Sequence, residues 1–227
     1  MSRDSVSKAY RAQIIDRRWL SPTTFELGLR RPSAFIFQAG QFIRFRRDDI
    51  TEIMERDYSL IVAPSDPDIR LLVRDTAAGG YSTFLGKTEI GTALEFMGPL
   101  GYFTYQSDAR PAVFVATGTG IAPFVSMARS GISGFVLLHG VQTAVDLYYE
   151  AFFRRLALRY VPCLSITTDA SSPRDAFHGR VTVFLADRLP PGRYDFYLSG
   201  RREMIRDATL IIDDRFSGSR VYSEIFY

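Results

Sequence analysis

Two periods divide the chain. In Thr24-Phe25-Glu26-Leu27-Gly28-Leu29-Arg30 apolar and polar residues alternate, so Phe25, Leu27 and Leu29 fall on one face of an extended strand. Further β-rich runs occupy residues 10–15, 41–45, 58–62, 69–73 and 93–97. Turn signals separate them: Ser21-Pro22, Ala39-Gly40, Asp48-Asp49, Pro64-Ser65-Asp66-Pro67 and Gly98-Pro99. Six short strands with turns between them predict an antiparallel β-barrel, interrupted by a short helix at 82–87.

From residue 112 the pattern becomes strand then helix, repeatedly. Strands are predicted at 112–116, 135–138, 163–168, 195–198 and 220–225. Helices are predicted near 123–129, 145–159, 181–188 and 204–213. This alternation predicts an α/β domain with a five-stranded parallel sheet covered on both faces. The polar stretch Gln106-Ser107-Asp108-Ala109-Arg110-Pro111 is the natural linker, giving domains at 1–106 and 107–227.

Composition removes several function classes. No apolar run approaches the ~20 residues that cross a bilayer, and Met1 to Tyr10 lacks the apolar centre of a signal peptide. The expectation is a cytoplasmic protein without membrane insertion. The single cysteine, Cys163, permits no disulfide within the chain and no iron–sulfur cluster, which takes about four such ligands. Two histidines without HExxH or CxxC spacing argue against a metal site. The net charge is +3, yet residues 1–50 hold nine Arg and one Lys against five acids. That basic excess suits an acidic partner or a solvated face. No basic run or aromatic platform points to nucleic acid.

Six motifs carry chemistry. In Arg56-Asp57-Tyr58-Ser59, on a strand, Arg56 and Tyr58 share a face, a phosphate fork beside an aromatic plate, and Ser59 adds a hydroxyl. In Gly79-Gly80-Tyr81-Ser82-Thr83-Phe84-Leu85 the glycines admit a close ligand, and Ser82 and Thr83 are expected to cap a helix start that favours an anion. Gly98-Pro99-Leu100-Gly101-Tyr102-Phe103 reads as a turn closing the barrel. Thr117-Gly118-Thr119-Gly120-Ile121-Ala122-Pro123 follows a strand and opens a helix with proline in its first turn, a dinucleotide cradle in kind but not a GxGxxG fingerprint. Ser199-Gly200-Arg201-Arg202-Glu203-Met204 follows the fourth strand, at the sheet edge where open α/β sheets bind ligands. The chain end is Tyr222-Ser223-Glu224-Ile225-Phe226-Tyr227.

Taken in order from about residue 10 to residue 227, these motifs resemble the ferredoxin–NADP(+) reductase family. The resemblance implies a barrel that holds FAD and an α/β domain that holds the nicotinamide nucleotide. Arg56 then resembles the arginine on the flavin phosphates, Tyr58 the tyrosine packed on the flavin ring, and Ser59 the hydroxyl near flavin N5. Gly79, Gly80, Ser82 and Thr83 resemble the pyrophosphate loop. Thr117, Gly118, Gly120 and Pro123 resemble the loop under the nicotinamide dinucleotide, joined by Gly200 and Arg201. Glu224 resembles the acidic residue near the nicotinamide. Ser199 stands where the family has cysteine, and either Phe226 or Tyr227 covers the flavin's other face. Ser172 and Arg174, with Ser171, are placed to take the 2′-phosphate of NADPH, whereas Asp169 suits the ribose of NADH.

The activity this implies is hydride transfer from NADPH or NADH to bound FAD, then single-electron delivery to an acidic ferredoxin or flavodoxin. Rival readings are an NAD(P)H:flavin reductase, which the Gly200–Met204 run also resembles, and the reductase component of a multicomponent oxygenase. A non-enzymatic alternative is a flavin-binding electron-transfer subunit.

Overall fold

The alternating runs of the first half fold into six antiparallel strands in the computed structural model. They are β1 (Ala9–Ser21), β2 (Thr24–Arg30), β3 (Phe42–Asp48), β4 (Ile53–Ser59), β5 (Asp68–Arg74) and β6 (Ala93–Leu100), with helix α1 (Tyr81–Lys87) between the last two. The structure describes residues 8–48, 53–76, 80–106, 110–166 and 172–225. The chain divides into two units, Met1–Tyr105 and Gln106–Tyr227.

In the first unit the strand order is β4-β3-β6-β1-β2-β5. Leu60, just past β4, bridges Leu71 of β5, so the two edge strands meet and the sheet closes on itself. Phe25, Leu27 and Leu29 of β2 lie in its core with Phe45, Phe96 and Leu85, as the alternation predicts. Buried Glu26 is held by Arg18 at 2.8 Å.

Two predicted segments shift. The strand expected at 58–62 runs instead from Ile53 to Ser59. The apolar Leu60-Ile61-Val62 that drew it forward is buried as a connector, with Ile61 N–H bonded to Arg70 O at 2.9 Å. The expected turn at Gly98-Pro99 lies within β6, which continues to Leu100 opposite Phe42.

The second unit is built on β7 (Ala112–Thr117), β8 (Val136–Val141), β9 (Arg159–Leu164), β10 (Phe177–His178), β11 (Asp195–Gly200) and β12 (Arg220–Ile225). These form one parallel sheet of order β10-β9-β8-β7-β11-β12. The sheet has six strands rather than the expected five. The additional one, Phe177-His178, is too short to carry a periodic signal. Helices α2 (Ala122–Arg129), α3 (Glu150–Leu156), α4 (Val181–Arg188) and α5 (Arg202–Arg215) cover it. Val113, Val115, Leu138 and Leu198 pack with Phe184 and Leu185 of α4 and Ile205 and Ala208 of α5. On the other face Phe114 stacks on Phe124 of α2 at 4.5 Å and on Phe135 at 4.4 Å.

The helix expected at 145–159 is only Glu150–Leu156, because Tyr149 stands before it in a left-handed conformation, φ 61. The strand expected at 163–168 is Arg159–Leu164. Pro162 reads as a breaker, yet it is tolerated there: β10 pairs with β9 only from Cys163 onward, so β9 is an edge at Pro162.

Candidate cofactor sites in the two units

In the first unit the site starts from β4. Register sets Arg56 opposite Phe45 and Tyr58 opposite Ile43. The side chains of Arg56 and Tyr58 share a face; Asp57 takes the other. There Arg44 grips Asp57 with two hydrogen bonds of 2.6 and 2.8 Å and reaches Glu55 at 3.3 Å. The Asp57 carboxylate raises the Arg44 pKa. This half-exposed fork adds little stability but fixes the pairing of β3 with β4.

Arg56 itself is exposed, and its guanidinium donates to Glu55 O at 2.7 Å. Tyr58 is half-buried, edge-on to Phe45 at 5.9 Å, and burial pushes its phenol pKa up. Ser59 closes the strand and is buried.

The second motif meets the first here. Tyr81, the first residue of α1, stacks on Phe45 of β3 at 5.5 Å, and α1 also packs against β4. Ser82 and Thr83 do not cap this helix as expected. The N-cap is Gly80, and both side chains point back to the preceding segment. Thr83 Oγ1 donates to Asp75 at 2.6 Å, and Ser82 Oγ accepts from Thr76 N–H at 3.4 Å. Among the described residues, a Cβ on Gly80 would meet nothing within 4 Å. Gly79 lies outside the described residues.

In the second unit the strand order reverses beside β7: β8 lies on one side of it and β11 on the other. Ligands of open α/β sheets bind beyond the strand ends at such a switch point. Thr117 ends β7, a tight turn follows over Gly118–Ile121, and Pro123 stands in the first turn of α2, as the sequence predicts. The turn is locked to the end of β11. A Cβ on Gly120 would lie 2.4 Å from Ser199 O, and one on Gly200 would lie 2.1 Å from Thr117 Oγ1. Thr117 Oγ1 accepts the Arg201 N–H at 3.2 Å.

Ser199 pairs in register with Ala116 on one side and Glu224 on the other. Thr117, Ser199, Gly200 and Glu224 therefore gather at one sheet edge. Ser199 is fully buried, and its Oγ has no hydrogen-bond partner among the described residues. Glu224 is half-exposed.

Ser172 and Arg174 lie between β9 and β10. The Ser172 Oγ is buried without a partner among the described residues, and Arg174 is exposed. Asp169, Ser171, Phe226 and Tyr227 lie outside the described residues.

One aromatic escaped the sequence reading: Tyr81, which looked like part of a loop, opens α1 and stacks on Phe45. Thr117 was named from the sequence, but its bond to Arg201 appears only in the fold.

Residues 12–105 match the oxidoreductase FAD-binding domain family, and residues 114–209 match the oxidoreductase NAD-binding domain family. Among curated relatives, the toluate 1,2-dioxygenase electron transfer component of Pseudomonas putida is 30% identical, over 86% of this chain and 61% of its own. Ferredoxin–NADP reductase B of Sorangium cellulosum is 32% identical, over 66% of each. The chain spans under two thirds of the length of these relatives. Among solved structures, a ferredoxin NADP+ reductase from Neisseria gonorrhoeae with bound FAD and NADP superposes with a TM-score of 0.82 at 19% identity. That superposition covers 97% of this chain and all of the other.

Proposed function

The chain belongs to the ferredoxin–NADP(+) reductase family, and we propose that it is a flavin-dependent reductase that takes a hydride from NAD(P)H onto FAD and delivers electrons singly to a protein acceptor. The observation that carries this reading is the locked turn at the switch point, where Gly120 and Gly200 leave backbone in contact with backbone at the C-terminal sheet edge.

Bound FAD would accept the two electrons of the hydride together and release them one at a time, chemistry no side chain supplies. The chain's residues fit that group. Arg56 offers an exposed fork for phosphate and Tyr58 an aromatic face on the same side of β4. Ser59 would hold a hydrogen bond at the flavin ring, and Gly80 would admit the pyrophosphate against the start of α1. On the nucleotide side, Thr117, Gly118, Gly120 and Pro123 would cradle the dinucleotide, with Ser199 and Glu224 beside the nicotinamide. Ser199 keeps a small hydroxyl there, and its Oγ, without a hydrogen-bond partner among the described residues, would bond an incoming amide.

The test is direct. The purified protein should stay yellow after desalting, and NADPH or NADH should bleach it anaerobically. A colourless protein that reduces only added free flavin would instead make it a flavin reductase. NADPH is the preferred donor in this reading, because Ser172 and Arg174 would bind the 2′-phosphate. A higher kcat/KM for NADH would leave Arg174 on the surface and assign the ribose to Asp169.

The acceptor is proposed to be an acidic protein of the ferredoxin or flavodoxin type, matched to the basic excess in residues 1–50. Reduction of such an acceptor should slow severalfold between low and physiological salt, while a small neutral dye should be reduced at a constant rate. Equal salt responses would make the basic face mere solvated surface. The similarity to a dioxygenase electron transfer component favours one variant of this reading, delivery to an oxygenase system. Which acceptor turns over fastest distinguishes the two.

A further inference from the structure

We propose that Arg154 and Asp175 form a tether that sets nucleotide choice: the Arg154 guanidinium on α3 grips the Asp175 carboxylate and so fixes the turn that presents Ser172 and Arg174 to the 2′-phosphate of NADPH. Both are positioning residues and act through that turn. The tether rests on the 2′-phosphate reading of Ser172 and Arg174.

The sheet itself holds this turn only at its end. β10 is just Phe177-His178, paired with Cys163 and Leu164 of β9. Before it, the Ala176 N–H donates to Pro173 O at 2.9 Å, closing a turn with Arg174 and Asp175 at its two corners. Ala176 packs beside Val141, Leu147 and Leu164. Arg174 is exposed at the first corner, and the buried Ser172 Oγ has no hydrogen-bond partner among the described residues. At the second corner the Asp175 carboxylate accepts two hydrogen bonds of 2.8 Å, one from each Nη of Arg154, 21 residues earlier in the chain.

Arg154 is a firm post for that grip. Its Nε donates to Glu150, one helical turn back, at 2.9 Å, and its guanidinium lies over the ring of Tyr160 in β9 at 5.1 Å. Tyr160 is buried, and so is Phe153, which meets Phe135 edge-on. α3 therefore cannot drift from β9, and Arg154 cannot drift from α3. Only a planar guanidinium makes two parallel bonds to one carboxylate; an ammonium is a point charge. The fork holds the Asp175 carboxyl below its ordinary pKa, so the pair stays charged at neutral pH.

An exposed ion pair adds little to global stability. Its consequence here is local. With Asp175 tied to α3, a ligand that engages Arg174 has less backbone to order on binding, and ordering is what weakens contacts made by loops. Charge alone predicts the reverse sign. A carboxylate beside a phosphate-binding arginine repels the dianion, so its removal should tighten NADPH binding if only Coulomb forces counted. Geometry and charge thus disagree about Asp175, which makes it the residue to change.

The measurements are KM and kcat of the FAD-loaded enzyme with NADPH and with NADH, and titrations with NADP+ and NAD+. D175N keeps the shape and removes the charge. It should raise KM for NADPH about fivefold, with KM for NADH and both kcat values within about twofold. R154M keeps a stem over Tyr160 without the fork and should match it, and R154K should fall between R154M and wild type. The double variant R154M/D175N should lose no more than either single one, since both remove the same contact. NADPH binding in D175N as tight as wild type or tighter, equal losses for NADPH and NADH, or additive losses in the double variant would each overturn the tether. Should R154M fold poorly, R154K and D175N carry the same comparison. R174A separates the two possible failures. If it leaves KM for NADPH unchanged, the 2′-phosphate reading falls and the tether with it; if it raises that KM while D175N does not, the tether alone falls.

Discussion

Replacing Gly120 by Ala should strongly weaken nicotinamide nucleotide binding while leaving flavin in the first unit. The added Cβ would sit 2.4 Å from Ser199 O and 2.7 Å from its carbonyl carbon, and both are backbone atoms of a central strand. No rotamer relieves such a contact, so the turn after β7 and the end of β11 must separate. Overpacking of this kind costs about 1–3 kcal/mol in a core. At the switch point the same displacement spreads the backbone groups that would hold the dinucleotide. A fall of about 10- to 100-fold in NADP+ or NAD+ affinity is expected, with FAD content unchanged. Gly200→Ala should behave alike, because its Cβ would strike Thr117 Oγ1 from a φ of +138. Nucleotide titrations of both variants against wild type are the check. Affinities equal to wild type would mean that the locked edge is a packing feature and the dinucleotide lies elsewhere.

The architecture was legible because it depends on periodicity. Alternation in Thr24–Arg30 identified a barrel strand and its inward face, and repeated strand–helix pairs identified the parallel sheet. Elements failed to show where tertiary contact overrode local pattern. Phe177-His178 is a strand only because β9 stands beside it. The alternately charged Ile53–Ser59 is a strand because Arg44 of β3 balances its outward acids, Glu55 and Asp57. Site residues divided the same way. Glycines and Pro123 announce backbone shapes that sequence spacing records. The contacts that give those shapes meaning, Gly120 on Ser199 or Thr117 on Arg201, join residues about 80 positions apart and have no local signature. The misread caps show the reverse hazard. Ser82 and Thr83 have the right chemistry for a helix start, but Asp75 and Thr76 lie closer and claim their hydroxyls.

Arg56→Ala should weaken FAD retention about 10- to 100-fold with almost no change in folding stability. The two effects separate because of where Arg56 stands. Its guanidinium is exposed, donates to the neighbouring Glu55 carbonyl, and joins no ion pair among the described residues. Removing such a surface side chain typically changes stability by less than about 0.5 kcal/mol. Strand pairing is maintained from the other face, where Arg44 holds Asp57. By contrast, a fork-to-phosphate contact is a charge-assisted bond worth about 1.5–3 kcal/mol, and its loss falls wholly on the bound flavin. Arg56→Lys keeps the charge but not the planar fork, so it should fall between wild type and Ala. Measuring the flavin dissociation constant by fluorescence after reconstitution, alongside the thermal midpoint of the apoprotein, separates the two quantities. If Arg56→Ala holds FAD as tightly as wild type, the phosphates do not lie along this face of β4. If stability falls with affinity, Arg56 is instead part of the barrel's own framework.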